Sequence, residues 1–169
     1  MSLPTGLQRH IAHCSVGPTT LRTMVDPGGL ETVRDYLECI DLGQVNKRSL
    51  PEVLNQWTNT LGRKHARGSK HGIGWGPARK SLNLFLRDVT YNYMTRKEYH
   101  LDSHEKELEV PLDGKVMKAI RGESKKTANL ENVAVKNLTK KISDKYQKVA
   151  QAIANSKGVS RVNLDLEWW

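Results

Sequence analysis

The sequence predicts an all-α protein, and three observations carry that expectation. Apolar residues recur at intervals of three and four along most of the chain, the spacing that gathers them on one face of a helix. Breaks in this pattern fall on Gly-Pro and Pro-Gly-Gly clusters, which do not continue a helix. Alternation of period two is confined to the C-terminal tail. With 169 residues, 37% hydrophobic and 27% charged, the chain suits a single compact multi-helix domain. Within it the pattern separates a small lobe (1–61), a glycine-rich hairpin with the helices that follow it (62–122), and C-terminal helices (123–169).

Leu7, Ile11 and Cys14 define a first helix that stops at Gly17-Pro18. After the turn Asp26-Pro27-Gly28-Gly29, a second carries Leu30, Val33, Leu37 and Ile40. Ser49-Leu50-Pro51-Glu52 has the form of a capping box and opens a helix carrying Val53, Leu54, Trp57 and Leu61. Residues 62–77 hold five glycines and a proline in sixteen positions, so this stretch reads as a loop. Pro77 then suits the first turn of a long helix reaching about Glu98. Asp113 reads as the cap of a helix containing Val116, Met117 and Ile120. Leu130, Ala134, Leu138 and Ile142 step by four and predict another; Tyr146, Val149, Ala150 and Ile153 predict the last. The tail from residue 159 alternates and reads as extended against the helices. Trp57 and Phe85 read as core, and Trp168 and Trp169 as docked onto the helices.

There are 27 Lys and Arg against 18 Asp and Glu, a net charge of +9, which attracts polyanions. No run approaches the ~20 apolar residues of a spanning helix, and the N-terminus lacks the features of a signal peptide. A cytoplasmic protein with nucleic acid rather than a membrane as its partner is therefore expected. Cys14 and Cys39 are too few for a disulfide framework, lack metal-ligand spacing and read as buried structural thiols. His65 and His71 have no matching ligand set, and His10 and His13 read as a solvated helical face, so neither a metal nor a small-molecule cofactor is expected.

Residues 63–97 hold nine Lys or Arg and one acid, Asp88. Neutralising phosphates with such a segment releases counterions and drives binding at low salt. Gly72, Gly74 and Gly76 let backbone N–H groups approach a phosphate with no Cβ in the way, and a helix N-terminus follows. Trp75 offers a platform for a base. The candidate nucleic-acid contacts are Arg63, Lys64, Arg67, Lys70, Gly72, Gly74, Trp75, Gly76, Arg79 and Arg87, with DNA the expected partner.

The phrase Gly72-Ile73-Gly74-Trp75-Gly76-Pro77-Ala78 resembles the hairpin of helix-hairpin-helix DNA-binding proteins. Glu109-Val110-Pro111-Leu112-Asp113 in turn resembles the hydrophobic-Pro-hydrophobic-Asp segment that follows the hairpin in the helix-hairpin-helix DNA glycosylase superfamily. In most branches a lysine nucleophile sits within the hairpin, but the corresponding window here, residues 93–95, holds none. The archaeal 8-oxoguanine DNA glycosylase branch has a longer separation, and Lys80, 33 residues before Asp113, is similar to that arrangement. The resemblance spans roughly residues 62–122. It implies an all-helical DNA glycosylase, with AP lyase activity on an oxidised purine, in which Lys80 is the nucleophile and Asp113 its electrostatic partner.

Such chemistry needs attack at C1′ of a nucleotide rotated out of the stack. An amine attacks only when neutral, so its pKa must fall by desolvation or beside cations, for which Arg79 and Arg87 are the candidates. A facing carboxylate would stabilise the developing sugar cation. The helical wheel argues otherwise for Lys80, which points away from the stripe Ala78, Leu82, Phe85, Leu86, Val89 and Tyr93 and so reads as exposed. Asp113 can equally be an N-cap alone. The alternative to an enzyme is a non-catalytic nucleic-acid-binding helical protein that keeps the hairpin for phosphates; a scaffold for a protein partner is a third reading.

Overall fold

The computed structural model describes residues 3–66, 69–124 and 129–168. It is all-helical: α1 (Leu3–Ser15), α2 (Pro18–Leu21), α3 (Gly29–Cys39), α4 (Leu50–Arg63), α5 (Trp75–Tyr91), α6 (Tyr93–Glu98), α7 (Gly114–Glu123), α8 (Lys140–Lys157) and α9 (Leu164–Trp168). Short 3₁₀ turns lie at Leu42–Asn46, Leu101–Glu107, Val135–Asn137 and Arg161–Asn163. Among the described residues no helix is long and apolar enough to cross a membrane.

Helix α5 is the centre of the molecule. Ala78, Leu82, Phe85, Leu86 and Val89 pack into a first cluster with Ile11 and Ala12 of α1, Val33 and Leu37 of α3, and Val53, Leu54, Trp57 and Leu61 of α4. A second cluster joins Val110 and Leu112 to Val116, Met117 and Ile120 of α7 and Tyr146, Ala150 and Ile153 of α8. Every residue of α5 from Gly76 to Leu86 is buried, so this helix has no solvated face over its first three turns.

Several local expectations are corrected. The long helix does not run unbroken to Glu98: Asn92 interrupts it, its side chain accepting from the N–H groups of Met94 (3.0 Å) and Thr95 (3.2 Å) to start α6. An Asn side chain competes with the helical ladder in this way and re-nucleates it. Helix α4 starts where expected, but the Ser49 hydroxyl does not cap it; Val53 N–H bonds the Ser49 carbonyl instead. Residues 129–134 are not helical, and α8 begins only at Lys140, with Thr139 capping Ile142 N–H. The four-residue spacing there belongs to an irregular stretch whose Val135 and Leu138 fold down beside α5 and into the second cluster. Both cysteines are exposed, because α1 turns Ile11, Ala12 and Ser15 inward and α3 turns Val33 and Leu37 inward.

The tail is not extended. A strand would place Leu164 and Leu166 on one face; instead Leu164 and Asp165 are buried and Leu166 is 66% exposed. The pairing of Asp165 with Arg87 on α5 rewards a helical turn over the alternating pattern. Trp168 sits half-buried against the second cluster with Nε1 donating to Glu123 (2.8 Å), while Trp169 lies outside the described residues.

Candidate active site

Lys80 is buried, at 8% exposure, against its expected place on a solvated face. The reason lies in the position of α5: the side opposite its main apolar stripe meets a second set of packed elements. Lys80, Leu84, Arg87 and Asp88 step by helical spacing along that side and line a cleft of about 590 Å³. Pro111, Asp113, Gly114 and Lys115, at the entrance to α7, line it as well. The α1–α2 region contributes Cys14, Ser15 and Thr20, and α9 contributes Asp165. The two residues singled out as a catalytic pair thus line the same cleft.

Lys80 Nζ donates to the backbone carbonyl of Thr20 at 3.2 Å. Burial pushes its pKa below the usual lysine range, and the negative charges of Asp113 and Asp165 pull it partly back. Desolvation favours the neutral amine, the nucleophilic form. The lowering therefore comes from burial rather than from Arg79 or Arg87, both of which are held by carboxylates.

Asp113 is half-buried at the mouth of α7, and its Oδ1 accepts from Val116 N–H at 2.9 Å. The cap engages one carboxylate oxygen and fixes the side chain; a carboxylate has lone pairs on both. Asp165, which sequence reading did not single out, is 1% exposed and pairs with Arg87 Nη1, while Arg87 Nε also donates to Asp88 at 2.8 Å. Its signal was an acid in the otherwise apolar Leu164-Asp165-Leu166.

The basic loop is a closed hairpin. Ile73 N–H bonds Lys64 O (2.9 Å), Gly74 N–H bonds Gly62 O (3.0 Å), and His65 pairs with Gly72. Arg63, Lys64 and Lys70 are exposed on it, and Arg67 lies outside the described residues. Two of its glycines serve packing: a Cβ at Gly72 would meet Gly62 O at 2.6 Å, and one at Gly76 would meet Val135 O at 1.9 Å. Gly74 has φ +86°, the left-handed region that favours glycine. Trp75 is half-buried, with the Arg79 guanidinium 5.4 Å from its ring centre, so that ring face is already covered.

Arg79 is not offered to phosphate. Its Nε and Nη2 hold Glu109 at 2.9 and 2.6 Å, and Nη1 donates to Asn55 and Thr58, both at 3.1 Å. The side chain is 4% exposed. Arg87 is likewise committed to Asp88 and Asp165 inside the cleft. Of the expected cationic contacts, Arg63, Lys64 and Lys70 are the described ones at the surface. Among the described residues no group of three or more His, Cys, Asp or Glu side chains is placed to hold a metal.

Compared with protein-family models, curated proteins and solved structures, the chain matches none.

Proposed function

We propose that this chain is a base-excision enzyme, a DNA glycosylase with lyase activity that acts on a damaged, oxidised purine through Lys80 and Asp113. The observation that carries the reading is the buried Lys80 amine, its pKa lowered by burial, in one cleft with the Asp113 carboxylate. The neutral amine attacks C1′ as the glycosidic bond breaks; the electron pair leaves with the base and the amine gives up a proton. Opening of the sugar ring leaves an iminium on Lys80. Loss of the C2′ proton then expels the 3′ phosphate by β-elimination. Asp113 stabilises the positive charge and carries protons. The α4–hairpin–α5 unit serves as the helix-hairpin-helix element. Lys80 follows Trp75 by five residues, about 7.5 Å of helical rise along α5.

Borohydride trapping on DNA carrying an abasic site or an oxidised purine tests the proposal. Wild type forms a covalent adduct, Lys80→Gln forms none, and Asp113→Asn forms it more slowly. No wild-type adduct, or equal trapping by Lys80→Gln, overturns it. The exposed Arg63, Lys64 and Lys70 favour a second reading, a non-catalytic nucleic-acid-binding module. That reading predicts salt-sensitive binding without cleavage and indifference to Asp113→Asn.

A further inference from the structure

The segment that delivers Asp113 to the cleft has no secondary structure of its own over residues 108–113. Side chains from three elements hold it. Arg79 of α5 grips Glu109 through two hydrogen bonds. Arg161 donates to the carbonyls of Leu108 (3.1 Å) and Glu107 (2.9 Å). Gln147 of α8 takes both backbone groups of Val110: Oε1 accepts its N–H at 3.2 Å and Nε2 donates to its carbonyl at 2.8 Å. This last contact copies one rung of a sheet ladder with an amide side chain. It is buried: Gln147 is 3% exposed and Val110 fully covered. Of these three holds on the segment it is the one closest to Asp113 in sequence: Pro111, which follows Val110, has a ring-fixed φ and no N–H to donate, and the Asp113 side chain is then capped on Val116 N–H.

We infer that Gln147 is a positioning residue for Asp113: its double bond to the Val110 backbone sets where residues 110–113 present that carboxylate to Lys80. The inference rests on the proposed glycosylase reading. Gln147 does not itself line the cleft, and its side-chain bonds go to the Val110 backbone.

A double-mutant cycle on adduct formation tests it, with rates normalised to the folded fraction. Gln147→Met keeps the length of the side chain and removes both bonds. Gln147→Asn keeps an amide but falls one methylene short, and supplies the cycle should Gln147→Met not fold. Each single substitution slows trapping about ten-fold or more, the consequence of a small misplacement of a reacting group. In the Asp113→Asn background the same substitution has no further effect.

The pH profile gives a second reading of the same cycle. The charged groups facing Lys80 in the cleft are Arg87 and Asp88 from α5, Asp113 and Lys115 from the entrance to α7, and Asp165 from α9, with the Cys14 thiol from α1. Displacing Asp113 removes a charge that holds the Lys80 pKa up, so the trapping midpoint moves to lower pH in Gln147→Met and no further in the double variant. Equal losses in both backgrounds, or an unmoved midpoint, overturn the role of Gln147 and leave the glycosylase reading standing. Absence of any wild-type adduct overturns both.

Discussion

Glu109→Gln tests the framework that carries the candidate site. Glu109 accepts three hydrogen bonds, from Arg79 Nε (2.9 Å), Arg79 Nη2 (2.6 Å) and Asn83 Nδ2 (3.0 Å), with side chains 4% and 12% exposed across the ion pair. A glutamine keeps one acceptor oxygen, turns an N–H₂ toward the guanidinium and leaves a buried cation without its counter-charge. Removing one partner of a buried pair costs about 3–5 kcal/mol. For a chain of this size each kcal/mol moves Tm by roughly 2–4 °C, so the variant melts about 6–20 °C below wild type. The assay is thermal unfolding followed by far-UV circular dichroism at neutral pH.

The pH dependence sharpens that test. Hydrogen bonds and charge from Arg79 hold the Glu109 pKa below its ordinary 4.5 despite burial. A depressed acid contributes stability that is fully present above its unfolded pKa and is lost as pH falls through the folded one. The gap between wild type and Glu109→Gln is therefore constant above pH 5 and narrows below about 4.5. A gap under about 1 kcal/mol at neutral pH, the size of an exposed pair, would mean that Arg79 and Glu109 are not a buried tie.

Three further outcomes follow from the same geometry. Gly76→Ala puts a Cβ 1.9 Å from Val135 O, so it destabilises the fold by about 1–3 kcal/mol in denaturant titration, whereas Gly114→Ala, with open space around it, does not suffer this clash. Both Cys14 and Cys39 react with a thiol reagent such as Ellman's in the folded protein, since both are exposed; protection of either until unfolding contradicts their placement. Under the proposed nucleic-acid reading, neutralising Arg63 or Lys70 lowers the slope of log DNA affinity against log salt by about 0.9 per lost phosphate contact. Arg79→Gln instead costs fold stability, because that side chain is committed to Glu109.

Much of the helical framework was legible because amphipathic spacing and breaking residues act locally. Val53, Leu54, Trp57 and Leu61 read as one face of α4, and they pack as one. Asp113 read as a cap and caps Val116. Legibility failed where long-range partners decide the outcome. A helical wheel assigns each helix one buried side, whereas α5 packs on two, so Lys80 was placed in solvent and is instead walled in by elements from across the chain. The tail curls because Asp165 finds Arg87, 78 residues earlier. Arg79 looked like a phosphate contact by composition and is an internal tie, a distinction that depends on Glu109 lying opposite. The glycines of the hairpin marked close approach correctly, but at Gly72 and Gly76 the approaching group is the chain's own backbone.

The proposed glycosylase chemistry depends on Lys80 being a desolvated amine that attacks sugar carbon. Its most direct test is the site and pH dependence of the borohydride adduct on abasic DNA, mapped by peptide mass spectrometry. With Lys80 as the nucleophile the adduct forms on Lys80 alone, rising with pH to a midpoint below the ordinary lysine value of 10.5. An adduct spread over exposed lysines such as Lys64 and Lys70, or one on Lys80 with an unshifted midpoint, contradicts it.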